Sequence, residues 1–449
     1  MPLPDLIEIV PLDKPVRAEI TVPGSKSITN RALVLAALAD GETILTDALW
    51  SEDTQIMVEC LQDLGFMVNV APDPDEICNR TITVYGQGGT IPGGGTVENP
   101  LELFVGNAGT AARFLAALVC LGKGVYRLHG VPRMHERPQA ALFQALRELG
   151  YRVDAPNDKL PAVIFGGGSR SRGDKTHSSK ESQRLLTSSP TNKVEVSVEE
   201  SSQFASALLL CAKVGNWRIK VTDANEEEEA YVSMTLKMIA AFPHHGGKFQ
   251  IEPDASSGSY FWAAGWLLSW GAQTQSSITV KIWPTSGWQI DADFPKYFPL
   301  PERLSRKGQL GDSIMTAMVL STFAVKDITF VDLGRLRVQE CDRVHALEKG
   351  LSECGAKITV WADNFSIIQS TDKLHGAEIE TYNDHRLAMC FAILGLKVPG
   401  IKIKNPACVK KTFPNFFQKL AAPPPQGLGA TILDAKTGRK LELKDLFAE

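Results

Sequence analysis

The chain has 449 residues, enough for two or three domains, and its 44% hydrophobic and 22% charged content is ordinary for a globular protein. A formal net charge of −4 excludes a general nucleic-acid binder, which would carry a basic excess. The most apolar stretch, YFWAAGWLLSW from Tyr260, is too short to span a bilayer, so we expect no membrane partner.

The eight cysteines are scattered along the chain without a C-x-x-C pair. This pattern predicts reduced thiols in a cytoplasmic protein, and neither a disulfide framework nor a zinc site. The N-terminus lacks a basic segment followed by an apolar core, so we predict no signal peptide.

The first predicted helix follows a Pro-Gly turn in VPGSKSITNRALVLAALAD, residues 22–40. Its opening contains Lys26, Ser27 and Arg31, although the first turn of a helix favours acidic residues. A solvated basic turn is the simplest explanation. The alternative is an anion held by the lysine, the hydroxyls and the free N–H groups of the helix start.

A unit of amphipathic helix, glycine and alternating strand recurs along the chain. It is found around Gly65, Gly150 and Gly355, and in a weaker form around Gly247. Each glycine suits the left-handed position that ends a helix. The recurrence indicates repeated α/β modules, although any α/β protein contains some joints of this kind.

Further predicted helix starts carry cations, hydroxyls or amides where acids are expected. The stretch VGNAGTAARFLAAL, from Val105, lacks the G-K-[ST] of a Walker A loop, and a structural turn or a serine N-cap would explain each stretch alone. The candidate residues in these stretches are Asn107, Gly109, Arg113, Arg137, Ser201, Ser202, Gln203, Ser256, Ser257 and Tyr260.

The C-terminal half continues the pattern. RLRVQECDRVHAL places Glu340 and Arg343 one helical turn apart, as in an i,i+3 ion pair. His385 and Arg386 open another apolar helix, and Lys411 follows later. Helix N-termini that converge on one cleft would hold a ligand with several negative charges, so the pattern predicts an enzyme or binder for a small polyanion.

The motifs in order resemble the 5-enolpyruvylshikimate-3-phosphate (EPSP) synthase family over about residues 7–420. They are P-G-S-K-S-x-x-N-R, G-N-A-G-T-A-x-R, R-M-x-E-R-P, S-S-Q-F, D-A-S-S-x-S-Y, Asp312 in LGDSIMTA, R-V-x-E-x-D-R, Y-N-D-H-R-x-A-M and K-T-F-P. The resemblance implies an α/β fold with two domains, each built from repeated βαβαββ units around a pseudo-threefold axis. It places the active site in the interdomain cleft, one domain at 19–288, and the other at 1–18 plus 289–449.

The resemblance also implies the reaction. The enolpyruvyl group of phosphoenolpyruvate would move to the 5-hydroxyl of shikimate 3-phosphate, through a tetrahedral intermediate and with release of phosphate, in aromatic amino acid biosynthesis. We expect no metal or organic cofactor, and a cytoplasmic monomer. Two alternatives remain: an enolpyruvyl transferase acting on a UDP-sugar, and a non-catalytic paralogue that binds shikimate 3-phosphate or a partner protein.

Residue roles follow from the resemblance. Shikimate 3-phosphate would contact Lys26, Ser27, Arg31, Ser201, Ser202, Gln203, Ser257, Tyr260, Asp312 and Gln339. Phosphoenolpyruvate would contact Lys26, Asn107, Gly109, Arg137, Gln203, Arg343, His385, Arg386 and Lys411. Glu340 would deliver a proton to the methylene carbon and Asp312 would assist removal of the hydroxyl proton, with Lys26 and His385 as further catalytic candidates.

The chain departs from the family at one charged position. Gln339 stands where the family usually has lysine, which removes a positive charge beside the presumed acid–base residue Glu340. Arg335 and Arg337 are the candidates that could compensate.

Three segments also differ. Residues 289–312 are shorter than in the family and lack a helix–strand portion of one repeat unit. Residues 166–193, rich in Ser, Lys, Arg and Gly, are predicted to form a flexible insertion, and APPPQGLG from Ala422 is a break before a tail of unknown role.

Overall fold

The computed structural model describes residues 3–167, 192–223, 226–271, 275–369 and 373–448. The predicted insertion at 166–193 lies, apart from its ends, outside these residues. The helices are α1 (Lys26–Leu38), α2 (Glu52–Asp63), α3 (Gly109–Val119), α4 (Pro132–Glu136), α5 (Ala140–Glu148), α6 (Ser202–Gly215), α7 (Glu226–Ala241), α8 (Ala255–Ser269), α9 (Ile314–Leu320), α10 (Arg343–Glu353), α11 (His385–Gly395) and α12 (Phe416–Ala421).

The strands are short and distributed along the whole chain. They are β1 (Leu6–Ile9), β2 (Arg17–Ile20), β3 (Asp40–Leu49), β4 (Met67–Pro72), β5 (Asn79–Gln87), β6 (Leu101–Phe104), β7 (Val125–His129), β8 (Arg152–Asp154), β9 (Ala162–Phe165), β10 (Lys193–Ser197), β11 (Arg218–Thr222), β12 (Gly247–Gln250), β13 (Ser277–Val280), β14 (Arg303–Ser305), β15 (Ile328–Val331), β16 (Lys357–Trp361), β17 (Asn364–Ile368), β18 (Glu378–Ile379), β19 (Ile401–Lys404) and β20 (Ile432–Asp434).

Two stretches of the chain repeat one folding unit. β6, α3, β7, α5, β8 and β9 build a sheet of order β6-β7-β9-β8, and β14, α9, β15, α10, β16 and β17 build one of order β14-β15-β17-β16. In both sheets the first two strands are parallel and the rest antiparallel. A parallel pair requires a crossover connection, which the helix supplies. The predicted βαβαββ unit is therefore present.

The glycine joints lie between a helix and the hairpin that follows it. Gly65, Gly150 and Gly355 have φ of +87°, +93° and +89°, a region that side chains with a Cβ rarely occupy. They connect α2 to β4, α5 to β8 and α10 to β16. The local sequence signal thus marks the same corner of three units.

Buried apolar side chains form two separate cores. The first contains residues between 28 and 251, and the second contains residues 3–22 together with residues between 260 and 448. The chain crosses between the cores near residues 22–28 and 251–260. The division at 19–288 stays a prediction, and the packing of α8 and β13 in the second core favours an earlier boundary.

A buried polar cluster joins the two cores. The Lys419 ammonium lies 2.6 Å from Glu76 Oε2, and the Asn415 amide donates a hydrogen bond of 2.7 Å to Glu76 Oε1. Glu76 is only 3% exposed, so this ion pair is screened from solvent. The cluster fixes α12 of the second core against the β4–β5 connection of the first.

The region of the shortened segment is filled by aromatic side chains. In the described residues, β2 and β13 form a sheet of two strands, and residues 289–312 add β14 to a neighbouring sheet. Trp266 of α8 stacks on Phe298 with ring centroids 5.8 Å apart. The Trp283 indole donates a hydrogen bond of 2.8 Å to the Ala292 carbonyl. Large rings thus cover α8 beside the two-stranded sheet.

The residues after the predicted break at Ala422 are folded against the second core. β20 pairs antiparallel with β1, which places it at the end of the sheet β18-β19-β1-β20. Leu428, Ile432 and Leu446 are each no more than 1% exposed. The tail therefore covers a strand edge that would otherwise be open.

Candidate active site

A cleft of about 940 Å³ lies between the two cores. We call the lining from residues 25–234 the first wall and the lining from residues 254–412 the second wall. Helices α1, α3, α6, α10 and α11 all present their first residues to it: Lys26, Gly109, Ser202, Arg343 and His385. The predicted convergence of helix N-termini is confirmed, and their dipoles and free N–H groups favour an anionic ligand.

Arg31 is a buried cation of the first wall. It is 2% exposed, and its guanidinium donates to Thr235 Oγ1 at 2.8 Å, Ser206 Oγ at 3.0 Å and the Ser27 carbonyl at 2.9 Å. No carboxylate pairs with it among the described residues. Burial lowers the pKa of Arg31 to about 10, so the group remains charged at neutral pH and its charge is left for a ligand.

Arg113 sits behind Gln203 in the same wall. It donates to Gln203 Oε1 at 2.6 Å and to the Pro138 carbonyl at 3.1 Å. Because the amide oxygen of Gln203 is engaged in this way, its NH2 group is the end left to donate to a ligand. Burial, followed by repulsion from Arg137 and Arg335, lowers the pKa of Arg113 well below its usual value. Three guanidinium groups therefore share one neighbourhood.

Lys26 and Arg137 are two further cations of the first wall. The Lys26 ammonium lies 3.0 Å from Asp53 Oδ2, and Arg137 donates a hydrogen bond of 3.2 Å to the Asn107 carbonyl. A Cβ added at Gly109 would lie 2.7 Å from the Arg137 guanidinium. The glycine is thus required for the position of that arginine.

Asp312 occupies the second wall among three arginines. Its carboxylate lies 2.9 Å from Arg386, 3.1 Å from Arg306 and 3.7 Å from Arg343. Burial alone would raise the pKa of Asp312, but the three guanidinium groups outweigh it and hold the pKa well below the usual range. Asp312 is therefore ionised, and it fixes the three arginines in place.

Glu340 is held between two cations of the same wall. Lys411 lies 2.9 Å from Oε1, and Arg343 lies 2.8 Å from Oε2, which confirms the predicted i,i+3 pair. Burial would raise the pKa of Glu340, yet Arg343 and Lys411 hold it well below its usual value. The residue is a carboxylate in the free cleft. Arg343 also donates to Asp384 at 2.6 Å.

His385 is neutral in this setting. It is 2% exposed, and burial lowers its pKa well below the ordinary value despite the nearby Glu340 carboxylate. Its Nδ1 makes no hydrogen bond to any residue that the structure describes. A neutral imidazole at this point can donate one hydrogen bond and accept another, and it becomes a cation only if it takes up a proton.

The two candidates for replacing the missing lysine lie in different places. Gln339 accepts a hydrogen bond from Arg343, which also pairs with Glu340, so Gln339 is held on the second wall. Arg335 lines the cleft, and its Nη2 lies 3.5 Å from Ser201 Oγ on the first wall. Arg337 instead donates to the Ala362 carbonyl at 2.9 Å and pairs with Asp342 at 3.3 Å. Of the two, Arg335 faces the cleft.

Most of the predicted ligand residues meet in this cleft, and three do not. The residues in the lining are Lys26, Ser27, Arg31, Gly109, Arg137, Ser201, Ser202, Gln203, Asp312, Gln339, Glu340, Arg343, His385, Arg386 and Lys411. Asn107 contributes its carbonyl to Arg137 and lies outside the lining.

Ser257 and Tyr260 are placed differently from the prediction. Asp254 caps α8 by accepting a hydrogen bond of 2.7 Å from the Ser257 N–H. The start of the helix is fixed by this cap, and Ser256 faces the cleft. Ser256 Oγ then accepts from Arg386 at 3.0 Å. Tyr260 is 1% exposed and packs edge-on against Phe416 in the second core. In this structure Ser256 is the serine of this stretch that lines the cleft, and the ligand roles of Ser257 and Tyr260 stay predictions.

Several lining residues were not predicted. Tyr231 reaches the cleft from α7, in a stretch that carries none of the motifs found in the sequence. Arg306 comes from the segment that bridges the shortened unit, where the family motifs give no guide. Asp291 also lines the cleft, and burial together with the nearby Asp312 raises its pKa.

Within the described ranges, no group of three or more His, Cys, Asp or Glu side chains could hold a metal ion. No helix of the described residues combines the length and apolar character that a membrane crossing needs.

Comparison with solved structures gives the class of the fold. An EPSP synthase from Acinetobacter baumannii matches with a TM-score of 0.66 and 20% identity, covering 95% of this chain and 99% of that one. The enolpyruvyl transferase NikO from Streptomyces tendae matches with a TM-score of 0.57 and 13% identity, covering 95% and 98%. The fold is that of the enolpyruvyl transferases.

Sequence comparison is more specific. The family model EPSP synthase (3-phosphoshikimate 1-carboxyvinyltransferase) matches residues 11–292 and 308–420. Relatives named 3-phosphoshikimate 1-carboxyvinyltransferase include one from Opitutus terrae, 36% identical over 94% of this chain and 98% of its own. One from Nostoc is 33% identical over 92% and 98%. The chain belongs to the EPSP synthase family. The unmatched residues 293–307 coincide with the shortened segment.

Proposed function

We propose that this chain transfers the enolpyruvyl group of phosphoenolpyruvate to the 5-hydroxyl of shikimate 3-phosphate and releases phosphate. The observation that supports this proposal is that the two walls of one cleft carry different charged groups. The first wall holds cations without carboxylate partners among the described residues, such as Arg31 and Arg113, and the second wall holds Asp312 and Glu340. Two anionic substrates and a pair of proton transfers need both.

The acceptor would lie on the first wall. The N-terminus of α6, with Ser202 and the amide of Gln203, offers hydroxyl and N–H donors to its phosphate. Ser27 and Tyr231 line the same side and suit the hydroxyls of the ring.

Phosphoenolpyruvate would lie between the walls. Arg137 approaches from the first wall, and Arg343, Arg386 and Lys411 approach from the second. Planar guanidinium groups match carboxylate and phosphate oxygens in pairs. Lys26 has Asp53 beside it and lies near enough to Glu340 to lower its pKa, so its ammonium can contact both substrates.

The first step adds the 5-oxygen to C2 of phosphoenolpyruvate and a proton to its methylene carbon. Substrate anions that engage Arg343 and Lys411 weaken the hold of these cations on Glu340, which raises its pKa and lets the carboxyl carry that proton. Asp312 assists removal of the 5-hydroxyl proton. The product is a tetrahedral adduct, and the surrounding cations stabilise its negative charge.

The second step reverses the proton movement at carbon. The Glu340 carboxylate removes a proton from the new methyl group, and the bond between C2 and the phosphate oxygen breaks. Phosphate leaves with the electron pair of that bond, and the double bond forms again in the product. Closure of the two walls would exclude water from these steps.

One copy of the chain suffices for the site, because both walls come from the same chain. We therefore propose that the monomer is active. All eight cysteines are unpaired, and seven of them are buried, which suits a reducing compartment such as the cytoplasm.

A phosphate-release assay tests the proposed reaction. The purified chain is given phosphoenolpyruvate with shikimate 3-phosphate, or phosphoenolpyruvate with a UDP-sugar. We expect phosphate release when the acceptor is shikimate 3-phosphate and none when it is the UDP-sugar. Release only with the UDP-sugar would show the other transferase, and binding of shikimate 3-phosphate without release would show a non-catalytic protein.

A further inference from the structure

Gln339 supplies no cation to the cleft, at the position where the resemblance to the family implies a lysine. Its amide oxygen accepts a hydrogen bond from Arg343, which ties it to Glu340 and Asp384 on the second wall. The acceptor side of the second wall therefore needs its positive charge from another residue.

Arg335 precedes Gln339 by four residues and lies in the 3-10 turn Gly334–Arg337. This turn belongs to the second wall, yet the Arg335 guanidinium comes within 3.5 Å of Ser201 Oγ on the first wall. The side chain thus spans the cleft. The neighbouring Arg337 points away, toward Asp342 and the Ala362 carbonyl.

Its surroundings are those of a phosphate site. Ser201 caps α6, a helix of 14 residues whose N-terminal N–H groups point to the same place. Arg137 and Arg335 each lie close enough to Arg113 for their charges to lower its pKa, in addition to the larger effect of its burial. Glu200 is the acidic neighbour that partly offsets these cations. A ligand with two negative charges would relieve the remaining repulsion.

We propose that Arg335 crosses the cleft to bind the phosphate of the acceptor above the N-terminus of α6, and so supplies the charge that Gln339 lacks. This role rests on the proposed enolpyruvyl transfer to shikimate 3-phosphate. It also makes Arg335 the residue that distinguishes the phosphorylated acceptor from shikimate itself. Because the contact joins the two walls, the acceptor phosphate would help hold them together.

Steady-state kinetics of three Arg335 variants test this role. Arg335→Ala removes the side chain, Arg335→Gln keeps a hydrogen-bond donor for Ser201 but removes the charge, and Arg335→Lys keeps the charge. We expect Ala and Gln to raise KM for shikimate 3-phosphate about 10- to 100-fold, the usual range for loss of a charge-assisted hydrogen bond, with Lys between them and the wild type. KM for phosphoenolpyruvate should change by no more than about twofold, because its proposed ligands are untouched.

Two controls and one rescue variant separate binding from folding. Arg337→Ala lies in the same turn and outside the cleft lining, so it should behave as the wild type. With shikimate as acceptor, Arg335→Gln should lose much less activity than it loses with shikimate 3-phosphate, since the phosphate that Arg335 would contact is absent. Adding Gln339→Lys to Arg335→Gln should recover part of the lost affinity for shikimate 3-phosphate.

Two results would overturn the role of Arg335. One is an Arg335→Gln variant whose KM for shikimate 3-phosphate equals that of the wild type. The other is an equal loss of activity with shikimate and with its phosphate, which would show a structural effect on the wall. A wild-type chain that releases no phosphate would instead refute the proposed reaction, and thermal melting shows whether any variant has lost its fold.

Discussion

The two walls of the cleft contain similar numbers of cations, but the arginines of the two walls have different hydrogen-bond partners. On the first wall, Arg31 and Arg113 donate to hydroxyls, an amide and carbonyls. On the second wall, Arg343 and Arg386 pair with carboxylates at 2.6 and 2.9 Å. The first wall therefore has positive charge available for a ligand, whereas a ligand on the second wall must compete with carboxylates already in place.

The two arrangements have different consequences for stability and for chemistry. Burying a guanidinium without a carboxylate is unfavourable, and a bound anion would offset it. The paired groups of the second wall hold Glu340 and Asp312 in fixed positions, as proton transfer requires. Binding and proton chemistry are thus concentrated on opposite sides of the cleft.

The largest expected effect comes from the second wall. Glu340→Gln keeps the shape of the side chain and one of its two acceptor oxygens but cannot carry the proton, so kcat should fall by roughly a hundredfold or more. Affinity for both substrates, measured by equilibrium binding, should stay near that of the wild type. Glu102→Gln, at an exposed position outside the cleft lining, is the matched control. Turnover near the wild-type rate would remove Glu340 from its proposed role.

A smaller effect is expected from the first wall. Lys26→Met removes the ammonium proposed to contact both substrates and should weaken each of them about tenfold or more. Calorimetric titration with each substrate measures this, with the exposed Lys296→Met as control. If affinity for either substrate were unchanged, Lys26 would not be a shared ligand.

The smallest expected effect concerns stability and pH. His385 is neutral when folded because burial lowers its pKa, whereas the unfolded residue titrates near 6.5. Below that pH the unfolded chain binds a proton that the folded one does not, so the stability that His385 contributes is complete above pH 6.5 and is lost as pH falls. The slope is at most about 1.4 kcal/mol per pH unit.

Urea unfolding at several pH values checks this sign. As pH falls from 7 to 5, the wild type should lose more free energy of unfolding than His385→Gln, because only the wild type carries the histidine. A difference that stays constant with pH would mean that the pKa of His385 is the same in the folded and the unfolded chain, and would contradict its lowering by burial.

Local features of the fold could be predicted from the sequence. Gly65, Gly150 and Gly355 mark helix ends because a left-handed residue is a local requirement, and all three have positive φ. The cations at helix starts, such as Lys26 and Arg386, predicted an anion cleft for a similar reason. Such signals depend on neighbours in sequence.

Features that depend on tertiary packing could not be predicted. The helical phase of α8 is set by the Asp254 cap, which turns Ser256 rather than Ser257 to the cleft. The membership of α8 in the second core depends on contacts with residues far along the chain. Arg306 enters the site from a segment with no family motif, so only the folded chain shows it.

A crystal structure with shikimate 3-phosphate and phosphoenolpyruvate bound would test the division of labour between the walls most directly. We expect the acceptor phosphate at the N-terminus of α6, beside Ser202 and Arg335, and phosphoenolpyruvate between Arg137 and Arg386, with Glu340 facing its methylene carbon. An acceptor phosphate bound by the second wall alone, or a Glu340 carboxylate remote from the reacting carbon, would contradict this account.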